Sequence, residues 1–176
     1  MFINRIKSRL DGEEGFTLIE LMVVVVNIGV LIAIAMPTFI GARNRAQNRA
    51  AQVNLRNTVV AARTAYTDNV TFSGATTTGL ATLDPSLTYI AAGTASAVGN
   101  NYAVSVTTGP VNGAADQKFA AARMSVTGTC YTVADVLAIG GTGAGNTFGT
   151  WYGTTATAAN CTATWALANS ALTAWP

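Results

Sequence analysis

Glu20 is the only charged residue in the 25 residues from Phe16 to Ile40, an otherwise apolar run. An ionised carboxylate at such a place costs roughly 3 kcal/mol or more in a bilayer unless a partner relieves it, which makes it a functional candidate. Ahead of it stands a charged leader, residues 1–15, ending in Gly15. A cut after Gly15 would precede the apolar run, so the run would stay with the mature protein, unlike the core of an ordinary secretory signal. The other reactive residues are two cysteines, Cys130 and Cys161, and four scattered aspartates, Asp68, Asp84, Asp116 and Asp135. There is no histidine, and so neither the commonest general base nor the commonest neutral metal ligand is present. The cysteines are too far apart for a Cys-x-x-Cys redox pair and too few for a metal site. If their half of the chain lies outside the cytoplasm, one disulfide between them is the natural reading. Neither a cofactor nor a metal is expected, nor enzymatic activity unless Asp84, Asp116 or Asp135 meet in a cleft.

Composition narrows the partners. The chain has 176 residues with 10 basic and 8 acidic side chains, a formal net charge of +2. The leader holds Arg5, Lys7 and Arg9 against Asp11, Glu13 and Glu14, so its removal leaves that charge unchanged. No clustered basic face stands out beyond a short arginine series, and direct nucleic-acid binding is not expected. Apolar residues are concentrated near the start, while the later two-thirds is rich in Ala, Thr and Gly.

The elements that must position Glu20 follow from periodicity. Phe16–Ile40 as a helix is roughly 38 Å long, enough to span a hydrocarbon core with tilt. Pro37 deletes one helical hydrogen bond and predicts a kink. From Ala42 onward Leu55, Val59, Ala62 and Tyr66 form an apolar stripe at helical spacing, and no Pro or Gly interrupts 42–68. One helix of about 50 residues is predicted, from Phe16 to roughly Asp68, its first half in lipid and its second half laid on a globular head. Arg45, Arg49, Arg56 and Arg63 fall within about 40° of each other beside that stripe, a solvated face or else a contact for neighbouring subunits or anionic headgroups. By basic-residue count Arg43, Arg45 and Arg49 rival the leader, so charge alone sets no orientation.

Beyond Val70 the period changes. A helical turn is expected at Leu80–Leu83, and β-like runs at Leu87–Ala91, Tyr102–Val106, Phe119–Val126 and Cys130–Val136. Turn signals separate them, at Gly99-Asn100-Asn101, Gly109-Pro110, Asn112-Gly113 and Gly128. An antiparallel sheet is predicted. The tail, 140–176, reads as loops with at most one strand, its Trp151, Trp165 and Trp175 serving a core or a subunit contact. Gly140–Gly145 lacks a following Lys-Ser/Thr and a strand-to-helix setting, and reads as a flexible loop.

The run Gly15-Phe16-Thr17-Leu18-Ile19-Glu20-Leu21, the apolar stretch behind it, and Gly29 and Pro37 at matching spacing closely resemble the type IV pilin and pseudopilin family, in the prepilin form with a class III-type leader. The likeness covers about the first 55 residues. A Gly-Thr-Cys-Tyr run at 128–131 with a later Cys161 is also similar to the disulfide-closed end of some pilins. The resemblance implies that a membrane-embedded prepilin peptidase cleaves between Gly15 and Phe16 and methylates the new Phe16 amine. It implies that Glu20 pairs with the amine of a neighbouring subunit, and that Gly29 to Pro37 is the part of the helix able to melt when subunits pack.

These readings converge on an α+β protein: leader 1–15, hydrophobic transmembrane and filament-core helix 16–41, amphipathic continuation 42–68, and β-rich head 69–176. The expected role is a homo-oligomeric pilus subunit. It starts as a single-pass cytoplasmic-membrane protein, leader inside and head outside, handled by the peptidase and an inner-membrane assembly platform, and ends on the cell surface. The alternatives are a pseudopilin of a secretion or DNA-uptake machine, or a monomeric membrane-anchored binding protein.

Overall fold

The computed structural model describes residues 15–111, 113–137, 147–169 and Trp175. The leader ahead of Gly15 and the glycine-rich Gly140–Gly145 stretch lie outside these residues. The chain divides into two units, Met1–Ala42 and Arg43–Pro176, with the boundary inside one helix, α1 (Leu18–Asn69, 52 residues).

In the first unit α1 is apolar on all sides and every side chain from Gly15 to Ile40 is exposed. A helix hydrophobic all round has no polar face to turn to water, so it belongs in lipid or against other apolar helices. Pro37 lies inside α1 without ending it. The Thr38 hydroxyl donates to the Ala35 carbonyl at 2.8 Å, adding a local hydrogen bond beside the proline.

In the second unit α1 buries Ala51, Leu55, Val59, Ala62 and Ala65. The stripe ends at Asn69, one residue beyond the predicted limit, where Val70 turns to φ 55°. Next come α2 (Thr77–Leu83), capped by the Thr76 hydroxyl accepting from the Gly79 N–H, and β1 (Tyr89–Ile90). Strands β2 (Val104–Val111), β3 (Ala114–Met124), β4 (Cys130–Val136) and β5 (Gly149–Thr155) follow, and then α3 (Ala163–Asn169). Sheet order is β1-β2-β3-β4-β5.

Three expectations are corrected. The sheet is antiparallel except at β1, which pairs with β2 in parallel, Tyr89 opposite Val104. The connection from Ala91 to Ala103 is long enough for that crossover, whereas a two-residue hairpin is not. Gly109-Pro110 is no turn, because β2 continues to Val111 through a register shift between Gly109 and Val111. Pro110 lies at that irregularity, where a missing N–H does no harm, and Gly109 is required by contact: a Cβ there would come within 2.7 Å of Leu167 Cδ2. The tail, read as loops with at most one strand, holds both β5 and α3.

The helix α3 explains why β4 is buried at every position. On one face of the sheet Val104, Val106, Phe119, Ala121, Tyr131 and Val133 pack with Leu55, Val59 and Ala62 of α1. On the other, Ala120, Ala122, Ala134 and Met124 pack with Ala166 and the Cys130–Cys161 disulfide. The alternation of side chains along β3 and β4 sends bulky residues to one layer and alanines to the other, where a short helix can approach closely.

Candidate assembly site

Glu20 stands in the first turn of α1, and its carboxylate meets one residue, Thr17. The Thr17 N–H and hydroxyl each lie 3.3 Å from Glu20 Oε2, and the Glu20 N–H donates to the Thr17 hydroxyl at 3.3 Å. This is a reciprocal capping box, which satisfies free N–H groups at a helix start. The positive end of the helix dipole also favours a carboxylate there. At 3.3 Å each contact is long for a hydrogen bond, and no cation reaches Glu20 among the described residues. The acid is therefore exposed, lightly held and still able to accept a charged donor. Gly15 and Phe16 precede the helix and are exposed. Gly29 has open space where a Cβ would be.

The head is closed by two internal links. Cys130 at the start of β4 is disulfide-bonded to Cys161 just ahead of α3, both fully buried. On the other face Asp135 of β4 is fully buried and receives two hydrogen bonds from Arg63 of α1, at 2.8 and 2.7 Å. The Thr150 hydroxyl of β5 donates to Asp135 at 2.7 Å. The bidentate hydrogen bond to Asp135 holds the Arg63 guanidinium above its ordinary pKa. Arg63 thus leaves the solvated arginine stripe expected from the wheel, and Arg56 has its guanidinium 5.3 Å from the Trp175 ring. Half of the Arg63 side chain is exposed, so truncation to Arg63→Met is expected to cost about 2–3 kcal/mol, less than for a fully buried pair. Denaturant unfolding of the full chain measures the loss, and Arg63→Met with Asp135→Asn should recover part of it.

The other aspartates are not brought together. Asp84 accepts from the Ser86 N–H and hydroxyl, and Asp116 from the Thr108 hydroxyl. Among the described residues no group of three or more His, Cys, Asp or Glu could hold a metal ion.

Two curated proteins are similar to part of this chain. The chain is 38% identical over 73 residues to the type IV major pilin protein PilA of Myxococcus xanthus, a match covering 42% of this chain and 32% of that protein. It is 47% identical over 53 residues to the type IV narrow pilus major component PilA5 of Thermus thermophilus, covering 30% of this chain and 42% of the relative. Over these stretches the chain is similar to type IV major pilins. Each match spans less than half the length of the relative. No family model matches the chain, and no solved structure matches it.

Two features of this chain are not evident from its sequence alone. The pattern Thr17-x-x-Glu20 is the sequence signature of a capping box, here at the start of an apolar run. The pairing of Arg63 with Asp135 spans 72 positions, and its one sequence signal is a lone acid inside the β-run Cys130–Val136. A third contact, Lys118 Nζ donating to the Leu167 carbonyl at 2.6 Å, ties β3 to α3. Burial lowers the Lys118 pKa.

Proposed function

We propose that this chain is the structural subunit of a type IV pilus, cut between Gly15 and Phe16 by a prepilin peptidase, methylated at the Phe16 amine and polymerised through residues 16–41. Before assembly that segment anchors the subunit in the cytoplasmic membrane, leader inside and head outside. Afterwards it forms the filament core, delivered through an inner-membrane platform. One observation carries the reading: a carboxylate in the first turn of a helix whose apolar residues are exposed as far as Ile40, held by nothing stronger than its own Thr17. Such a helix needs apolar neighbours, and such an acid needs a cation. A second copy supplies both, its apolar helix and its Phe16 amine. That amine sits at the positive end of its own helix, where a cation is disfavoured, so pairing with Glu20 relieves two costs together. Gly29 and Pro37 weaken the helix between them, giving a segment that can unwind when copies pack. Of the described helices, α1 alone is long and apolar enough to cross a membrane.

Residue 15 tests the processing step. A bulky side chain at the cut, Gly15→Leu, is expected to leave the chain in the membrane at its uncut length and to remove it from sheared surface material. Normal cleavage and normal filaments in Gly15→Leu cells would contradict the assignment of the cut.

A further inference from the structure

Arg123, near the end of β3, follows Phe119 and Ala121 on the sheet face that packs with α1. It is half-buried, and desolvation lowers its pKa from the ordinary guanidinium range. Among the described residues it has no ion-pair or hydrogen-bond partner, whereas Arg63 on the same face is matched to Asp135. A partly desolvated guanidinium without a protein partner keeps its donors free for an anion from solution.

Arg123 lines an open pocket of about 240 Å³ with Asn54 of α1, Ser86, Leu87, Thr88, Asn101 and Ala103. The side chains of Asn54, Thr88 and Asn101 make no hydrogen bond to any described residue, so three neutral donors stand uncommitted around one cation. No carboxylate lines the pocket. The backbone at its edge is also unusual: Asn101 and Tyr102 both adopt left-handed conformations, φ 51° and 56°, without being glycine. Hydrogen bonds from Asn101 N–H to Val98 O and from Tyr102 N–H to Ala97 O accompany that turn.

We propose that this pocket binds an oxyanion, a carboxylate or phosphate group, with Arg123 supplying the charge and Asn54, Thr88 and Asn101 the neutral hydrogen bonds. The anion comes either from a small molecule in solution or from a carboxylate of a neighbouring copy. The pocket lies wholly within the unit Arg43–Pro176, and binding in the isolated subunit does not depend on the filament reading.

The test is calorimetric titration of the full chain in detergent with inorganic phosphate, and separately with acetate. Saturable binding is expected, weakened at least tenfold in Arg123→Gln and less in Asn101→Ala. Equal binding by wild type and Arg123→Gln, or no saturable binding by wild type, would overturn the proposal. Folding is checked separately: Arg123→Gln removes an unpaired, half-buried charge and should melt no lower than wild type in phosphate-free buffer. Should that variant fail to fold, a phosphate-dependent rise in the wild-type melting temperature, reduced in Asn101→Ala, decides the matter, and its absence overturns the proposal. Repeating the titration on sheared filaments separates the sources. Retained binding means the pocket is open to solution, and binding by the detergent subunit alone means a neighbour's carboxylate fills it.

Discussion

Cells carrying Glu20→Ala are expected to hold normal amounts of this protein in the membrane and to build no filaments from it. The physical reason lies in what the carboxylate lacks. Its contacts are three 3.3 Å approaches to Thr17, a weak local cap. In a filament core it would be surrounded by residues such as Leu18, Ile19, Leu21 and Met22 of neighbouring copies, with the Phe16 amine as the one cation at the same depth. Removing one partner of a buried pair leaves an uncompensated charge worth about 3–5 kcal/mol, a factor of roughly 150 to 5,000 in each addition step. Because Glu20 also completes the capping box, Glu20→Gln is the informative companion. Glutamine keeps the cap but carries no charge, so it should fail to assemble as alanine does. Assembly by Glu20→Gln alone would assign the role to the cap. Assembly by both would favour a monomeric anchored protein.

The second large effect is on the head. Replacing both Cys130 and Cys161 with alanine is expected to cost about 3–4 kcal/mol of stability, the chain-entropy value for a loop of this size. The bridge spans 31 positions and fixes β4 to the start of α3. Since α3 and the disulfide together cover the alanine face of the sheet, its loss uncovers Ala120, Ala122 and Ala134 as well. Against a typical total of about 5–15 kcal/mol, that is a large share. Chemical unfolding of the full chain with and without reductant reads the effect directly. An unchanged midpoint under reductant would show that packing of α3 alone holds that face.

Long periodic elements were legible in the residues and short ones were not. Leu55, Val59, Ala62 and Tyr66 place the helix and its buried face, because a 3.6-residue period sustained over many turns has no competing explanation. Cys130–Val136 reads as a strand from its β-branched and aromatic content, and the structure places β4 on those residues. By contrast, α3 is Ala-Thr-Trp-Ala-Leu-Ala-Asn, seven residues too short to show a period, held by packing against β2, β3 and β4 and by the Thr162 hydroxyl accepting from the Trp165 N–H at 3.1 Å. The parallel pairing of β1 was hidden because two residues carry no register information, and their partner is set by the loop that follows. Gly109 carried a turn signal in its pairing with Pro110, but its role is to admit Leu167. At the N-terminus the candidate residues Gly15, Phe16 and Glu20 could be named from local sequence. The partners proposed for them belong to another copy of the chain, which no single-chain pattern can display.

Mass spectrometry of the N-terminal peptide from sheared surface material tests the central claim most directly. The account predicts a dominant species beginning at Phe16 and carrying one added methyl group. A chain in that material still beginning at Met1, or processed protein found in the membrane fraction alone, would contradict it.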